Sequence, residues 1–223
     1  MHITIINTGA ANLASVRAAF ERLNCRTQTT EAPDDVLAAP AVVLPGVGAF
    51  GPAMQRLRDL RIDTALRARI SGNKPTLAIC LGLQLLLDAS EESPGVAGLS
   101  IIPGTAVKFP NNAVRVPHMG WNTVRVSTDA PAWPWPTLIA DAYFANSYRL
   151  SIALGTMPEW SLLTSEYAGT FVAAFARGSL LACQFHPELS GAFGHSLLQR
   201  WLDIAKANAL GDQSMRDTEL SRC

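Results

Sequence analysis

The sequence predicts an α/β fold: a mostly parallel β-sheet with helices on both faces and an antiparallel extension. Three observations carry this. Short apolar runs bounded by turn residues, at 2–6, 41–44 and 76–79, read as buried strands. Helical stretches separate them, and that alternation belongs to a helix-covered parallel sheet. Beyond Gly98 the rhythm gives way to successive strand-like pieces with no helical spacing between them, which reads as an addition to the same sheet. A chain of 223 residues is long enough for one domain with a full core. Its expected extent is 1–209, with the polar, aperiodic stretch 210–223 as a disordered tail carrying an exposed Cys223.

In order, His2–Ile6 is a central strand, and the turn from Asn7 to Asn12 leads into a helix. There Leu13, Val16, Phe20 and Leu23 recur at helical spacing. A polar strand at Arg26–Thr30 follows, then a short helix with Asp34, after Pro33, as its N-cap. The Ala41–Leu44 strand runs into Pro45-Gly46-Val47-Gly48. Such glycines let backbone N–H groups approach a ligand closely, although an isolated Pro-Gly is more often a plain tight turn. The loop lacks the Lys-Ser/Thr ending of a phosphate loop.

Thr76–Ile79 is the next strand, and a helix starts near Leu83 and runs toward Ala89. Cys80 sits at the join, with Ala78 two residues before it and Gly82 two after. That is the pattern of a nucleophile elbow, whose sharp turn leaves little room at the ±2 positions. A thiol at a helix N-terminus has its thiolate favoured by the dipole, and the N–H of Leu81 is then free to hold an oxyanion. A buried structural cysteine fits the same pattern about equally well. Gln84, four residues on, can donate and accept in reading another amide, or be a polar residue tolerated on a helix flank.

Ser90–Gly98 is a polar loop. Strand-like pieces follow at Ile101-Ile102, 106–109, 122–126, 142–145, 162–167 and 171–175. Trp133-Pro134-Trp135-Pro136 reads as an irregular surface connection. Ser179–Phe185 is a strand that ends at His186. Pro187 biases His186 toward extended backbone, so His186 and Glu188, two apart, would leave the strand end on one side. A base and its carboxylate orienter placed together are what a cysteine nucleophile needs. The chain closes with an amphipathic helix over 195–207.

Ile79-Cys80-Leu81-Gly82-Leu83-Gln84, taken with Gln184-Phe185-His186-Pro187-Glu188, resembles the class I (triad) glutamine amidotransferases. Leu44–Phe50, the run Val116-Pro117-His118-Met119-Gly120-Trp121-Asn122, and Pro187–Gly191 resemble the glutaminase subunits of imidazole glycerol phosphate synthase. The resemblance spans residues 2 to about 205 and implies a flavodoxin-like fold. It implies a Cys80–His186–Glu188 triad that hydrolyses glutamine, with Leu81, Val47 and Gly48 as backbone oxyanion donors. Gly46, Gly48, Gln84, Ser147 and Tyr148 become glutamine contacts. Asn12, His118, Met119, Trp121, Asn122, Tyr143, Asn146 and Leu189 fall to the partner interface or ammonia exit, the His118 motif as interface or support. The implied partner is a separate (β/α)8 cyclase subunit, which takes the ammonia to form imidazole glycerol phosphate and AICAR in histidine biosynthesis. Three positions depart from the family pattern: Asn7 for an Asp, Asn146 for a His, and Leu189 for a basic residue.

Composition limits the alternatives. Eighteen basic and eighteen acidic side chains cancel, giving no electrostatic case for nucleic acid or an anionic membrane. Charged residues are 16% of the chain, below the usual quarter or so, a sign that some surface is covered by a partner. No apolar run is long enough to span a bilayer, and no basic-then-apolar leader opens the chain. Four scattered cysteines imply reduced thiols and a cytoplasmic setting. Neither they nor the four histidines show metal-ligand spacing, so no metal or cofactor is expected. Three other readings remain at this level: a paralogue feeding ammonia to a different synthase such as one for surface-sugar amidation, a catalytically silent partner-binding subunit, and a stand-alone cysteine hydrolase.

Overall fold

The computed structural model describes residues 1–9, 12–127, 133–151 and 159–220, with side chains for all of these but 151 and 210–220. In chain order the elements are β1 (His2–Ile6), α1 (Leu13–Arg22), β2 (Arg26–Thr30), α2 (Pro33–Ala38), β3 (Ala41–Leu44), α3 (Phe50–Asp59), α4 (Ile62–Ser71), β4 (Thr76–Ile79), α5 (Leu81–Leu85) and β5 (Ala89–Ser90). The second half contributes β6 (Thr105–Lys108), β7 (His118–Val126), β8 (Ile139–Asn146), β9 (Tyr148–Ser151), β10 (Ser161–Glu166), β11 (Thr170–Arg177), β12 (Leu180–Cys183), a 3-10 turn at Pro187–Leu189, and α6 (Gly191–Leu220).

One sheet takes the order β2-β1-β3-β4-β12-β11-β10-β7-β8. The β2-β1-β3-β4-β12 half is parallel throughout, the order of a flavodoxin-like open sheet. From β12 outward the pairings are antiparallel, as the loss of helical spacing predicts. β9 branches from β11, and β6 and β5 extend from it. Because side chains alternate along a strand, each parallel strand feeds both faces. Ile3, Ile5, Leu77, Ile79 and Leu181 pack with Phe20 of α1 and Trp201 of α6. Ile6, Val42, Leu44, Ala78 and Ala182 pack with α2 to α5 through Val36, Met54, Leu66 and Leu83.

Several local expectations are corrected. Ala32, not Asp34, is the N-cap of α2, because Pro33 takes the first helical position where its missing N–H costs nothing. The helix after Cys80 is only Leu81–Leu85. Beyond it Asp88 N–H donates to the Gly104 carbonyl, and Ala89–Ser90 pairs with β6 instead. Ile101 and Ile102 form no strand, as both N–H groups fold back to the Leu86 carbonyl. Trp133 is buried rather than at the surface, its indole N–H reaching the Gly178 carbonyl at 3.4 Å. β12 is shorter than the run 179–185. α6 continues to Leu220 where a disordered tail was expected; the added stretch holds no proline to stop it. Cys223 lies outside the described residues.

Candidate active site

The parallel strands all point their C-terminal ends the same way, which brings β4 and β12 to one edge of the sheet. At the end of β4 the backbone of Cys80 turns to φ 53°, ψ −109°. A non-glycine residue there is strained, of order 1–3 kcal/mol, and persists only where its surroundings hold it. Cys80 N–H donates to the Cys183 carbonyl of β12 at 2.7 Å, and the Cys80 carbonyl accepts from Leu83 and Gln84 N–H at 3.0 and 3.3 Å. Gly82 is small for a reason the strand pattern does not reveal: a Cβ there would collide with the Leu44 carbonyl oxygen ending β3. Gly46 is equally tight, since a Cβ would stand 2.6 Å from that of Leu81.

The segment expected to carry the base is a turn, not a strand end. His186 itself is extended, but Pro187–Leu189 winds into a 3-10 turn. The pairing of His186 and Glu188 therefore comes from the turn doubling back. Ser190 N–H donates to the Pro187 carbonyl, and Ser190 Oγ donates to the His186 carbonyl at 2.6 Å. The turn is tied to β8 by His186 N–H to the Tyr143 carbonyl at 2.9 Å and by Tyr143 N–H to Ser190 Oγ at 3.0 Å. His186 Nδ1 stands 2.8 Å from Glu188 Oε1, both side chains almost wholly buried. Burial pulls the ring's pKa down, but hydrogen bonds to Cys80 and Glu188 and their charges outweigh it and push it up to about 10. With Nδ1 given to Glu188, only the ring's other nitrogen is left to face the sulfur, and the direction of the shift favours the protonated ring.

A cavity of about 150 Å³ opens in front of the sulfur. It gathers Val47, Gly48, Cys80, Leu81, Gln84, Asn146, Ser147 and Tyr148 from three separate stretches of chain. Leu81 N–H is not free, as expected of an oxyanion donor, but donates to the Gly46 carbonyl at 3.4 Å. The Gln84 amide has both of its N–H bonds engaged, with the Tyr148 carbonyl and with Gln184 Oε1, each at 3.1 Å. What it offers a ligand is its carbonyl oxygen. The Tyr148 carbonyl also accepts from Asn146 Nδ2 at 2.9 Å, so it has no capacity left.

Glu92 lines the same cavity and was not singled out from the sequence. One of its oxygens caps α3 by accepting from Phe50 N–H at 2.7 Å, and a lone carboxylate in a polar loop carries no signal that would mark it.

The remaining candidates divide into two groups. His118 is buried, stacked between Phe144 and Tyr167 with centroids at 4.6 and 3.9 Å, with Asn122 Nδ2 at 3.2 Å from its Nε2. Desolvation lowers its pKa to about 4. The opposite face of β7 presents Met119 and Trp121, 64% and 59% exposed, and Trp121 meets Tyr143 edge-on. Leu189, 40% exposed, sits on the Pro187–Leu189 turn itself. Asn12 is an exposed cap, its Oδ1 accepting from Ser15 N–H at 3.4 Å.

Among the described residues no helix is long and apolar enough to cross a membrane, and no group of three or more His, Cys, Asp or Glu could hold a metal.

Comparison with known proteins gives the family. The family model described as glutamine amidotransferase class-I matches residues 4–204. The chain is 38% identical, over 94% of its length and 96% of the other's, to the imidazole glycerol phosphate synthase subunit HisH of Synechococcus sp.. It is 40% identical over 90% of its length to the chloroplastic imidazole glycerol phosphate synthase hisHF of Arabidopsis thaliana, of which it spans 34%. Among solved structures, one titled as a glutamine amidotransferase superimposes with a TM-score of 0.71 at 16% identity, covering 92% of this chain and 98% of that one. That likeness carries the fold; the sequence matches carry the family. The chain belongs to the class-I glutamine amidotransferases and, within them, to the HisH family.

Proposed function

We propose that residues 1–209 hydrolyse glutamine at Cys80 and deliver the ammonia to a (β/α)8 cyclase subunit, as the glutaminase of an imidazole glycerol phosphate synthase. The observation that carries this is the Cys80 elbow, which opens onto an amino-acid-sized cavity and has the hydrogen-bonded His186–Glu188 pair beside its sulfur. The HisH relatives support the pathway, and the plant relative named hisHF supports a cyclase-type partner. The buried free thiols of Cys25 and Cys183 favour a reducing, cytoplasmic setting.

The Cys80 thiolate attacks the side-chain amide carbon of glutamine, forming a C–S bond and a tetrahedral oxyanion. In this reading the backbone N–H groups of Leu81 and the Val47–Gly48 loop receive that oxygen once the loop reorients. His186 gives its proton to the departing nitrogen as the C–N bond breaks, and ammonia leaves a glutamyl thioester. Water then attacks the thioester, His186 takes its proton, the C–S bond breaks, and glutamate departs. Glu188 keeps the imidazole oriented and stabilises its charged form throughout. The Gln84 carbonyl and the Glu92 carboxylate are suited to an amino acid's N–H and ammonium groups, and the Ser147–Tyr148 backbone walls the pocket.

Met119, Trp121, Tyr143 and Leu189 form an apolar surface beside the catalytic turn, which suits a partner that collects ammonia directly. Asn12 would extend this surface, with His118 and Asn122 supporting it from beneath. Asn146 lines the cavity rather than this surface.

The deciding test is Cys80→Ala in the assembled synthase. Glutamine-dependent synthesis should vanish while synthesis from added ammonium salt persists, because only the ammonia source is lost. Equal loss of both activities in an intact complex would refute the assignment.

A further inference from the structure

Gln184 lies two residues before His186 and is fully buried. Its backbone N–H donates to the Ala173 carbonyl at 2.8 Å, which fixes its place on the strand end. Its amide connects two parts of the site. Oε1 accepts from Gln84 Nε2 at 3.1 Å, and Nε2 lies 3.8 Å from Cys80 Sγ, within reach of an N–H···S hydrogen bond.

The direction of this amide is dictated by chemistry. The carbonyl of Tyr148 can only accept. Gln84 must therefore turn its NH2 toward it, and the second N–H of that group then points at Gln184. Turning Gln84 around would set its own oxygen against the Tyr148 oxygen. Gln184 has to answer with its oxygen, and that leaves its NH2 on the side of the sulfur. A backbone carbonyl in the substrate pocket thus sets the polarity of a three-member relay that ends at the nucleophile. The sulfur also lies 3.9 Å from the Ala145 carbonyl, an acceptor suited to the S–H form. Each protonation state of Cys80 has its own neighbour: Ala145 accepts from the thiol, and Gln184 donates to the thiolate.

We infer that Gln184 is a further catalytic residue of this site, an amide donor that holds the Cys80 thiolate, oriented by Gln84 and Tyr148. This rests on Cys80 being the nucleophile. A thiolate accepts a hydrogen bond better than a thioester sulfur does, so the donor favours the anion both before attack and when sulfur departs from the acyl carbon.

The test is the pH dependence of iodoacetamide alkylation in the full chain, with the labelled peptide identified by mass spectrometry. In Gln184→Met the charged and titratable groups around the sulfur are unchanged: His186, Glu188 behind it, Glu92 across the cavity and the Cys183 thiol on β12. The pH of half-maximal alkylation at Cys80 should rise by about one to two units, the shift expected from losing a hydrogen bond to a charged group. Gln184→Glu keeps an acceptor for Gln84 but sets a carboxylate against the sulfur, and should raise it further. A purely structural Gln184 would lower the melting temperature and leave the profile in place; an unmoved profile in both variants overturns the inference.

If neither variant folds, the unsubstituted chain decides. The side-chain amide resonance of Gln184 should move as Cys80 titrates, and a resonance indifferent to pH overturns the inference. Label that misses Cys80 altogether fails the nucleophile reading, and this inference with it. Label on Cys80 with an unmoved profile fails the inference alone.

Discussion

The backbone N–H of Leu81 donates to the carbonyl of Gly46 at 3.4 Å. The N–H that follows the proposed nucleophile is thus directed at the protein's own loop. Because Gly46 and Gly48 make a peptide reorientation cheap, and Gly48 already stands at φ 100°, the loop can release this donor when a partner favours the other arrangement.

The isolated chain is therefore expected to be a poor glutaminase. Losing one oxyanion donor lowers turnover by about a hundred- to a thousandfold, and binding of the cyclase with its nucleotide should recover that factor. Steady-state glutaminase assays on the chain alone, with the partner, and with partner plus acceptor measure it. Full turnover by the chain alone would rule the switch out.

Docking should be apolar and only weakly salt-dependent. Trp121 and Met119 stand exposed beside Leu189, where a basic residue would otherwise supply a steering charge. Trp121→Ala is expected to weaken partner binding by roughly 30-fold, the scale of an aromatic hot spot. Raising salt from about 0.05 to 0.5 M should change the native affinity little, since screening acts on charges. Leu189→Lys should introduce a salt dependence that the native chain lacks. A steep native salt slope, unaltered by that substitution, contradicts this surface.

His118 makes stability fall with acid. Its folded pKa is about 4 because burial penalises the cation, whereas the unfolded chain takes up the proton near pH 6.5. Between those values only the unfolded state is protonated, so stability drops as pH falls from about 6.5 toward 4 and levels off below. His118→Phe keeps the aromatic stack and removes the titrating group. Denaturant melts across this range should show a flatter curve for the variant, and parallel curves would exclude His118 as the source.

Arg69 is a fully buried cation. Nη1 donates to the carbonyls of Val36 and Ala39 at 2.9 and 2.6 Å, and Nε and Nη2 donate to that of Pro75 at 3.3 and 2.8 Å. Desolvation brings its pKa down to about 10, so it remains charged at neutral pH. It gathers the end of α2 and the approach to β4 onto α4. Arg69→Met strips three buried carbonyls of these donors and should cost about 3 kcal/mol or more in denaturant unfolding. A loss under about 1 kcal/mol would mean that water replaces the guanidinium there.

β1, β2, β3 and β4 were legible in the sequence to the residue, because each is a short run between turn-forming residues. The antiparallel extension was legible as a change of rhythm. Cys80, His186 and Glu188 stood out as motifs; Pro187 does leave His186 extended, but the segment was read as extended through Glu188, whereas a 3-10 turn begins at Pro187. What stayed hidden depends on contacts between distant segments. The Leu81–Gly46 bond requires the loop after β3 to lie across the elbow. Glu92 resembles any solvated carboxylate until the chain folds it over the cavity. The cage around His118 is built from Phe109, Phe144, Tyr167 and Phe171, none of which its neighbours in sequence announce.

The position of β12 governs when this protein can first act. It is the last strand among the described residues, yet it lies between β4 and β11 in the middle of the sheet. A ribosome that has released only the first 150 residues or so leaves β4 as a bare edge, open to pairing with another nascent chain. Such late, long-range closure is intrinsically slow. Cys80 emerges early, but His186, its proposed acid–base partner, arrives only with the strand that completes the sheet. On the proposed mechanism a chain that stops short of β12 cannot consume glutamine, and the newborn protein depends most on protection from aggregation just before that strand arrives.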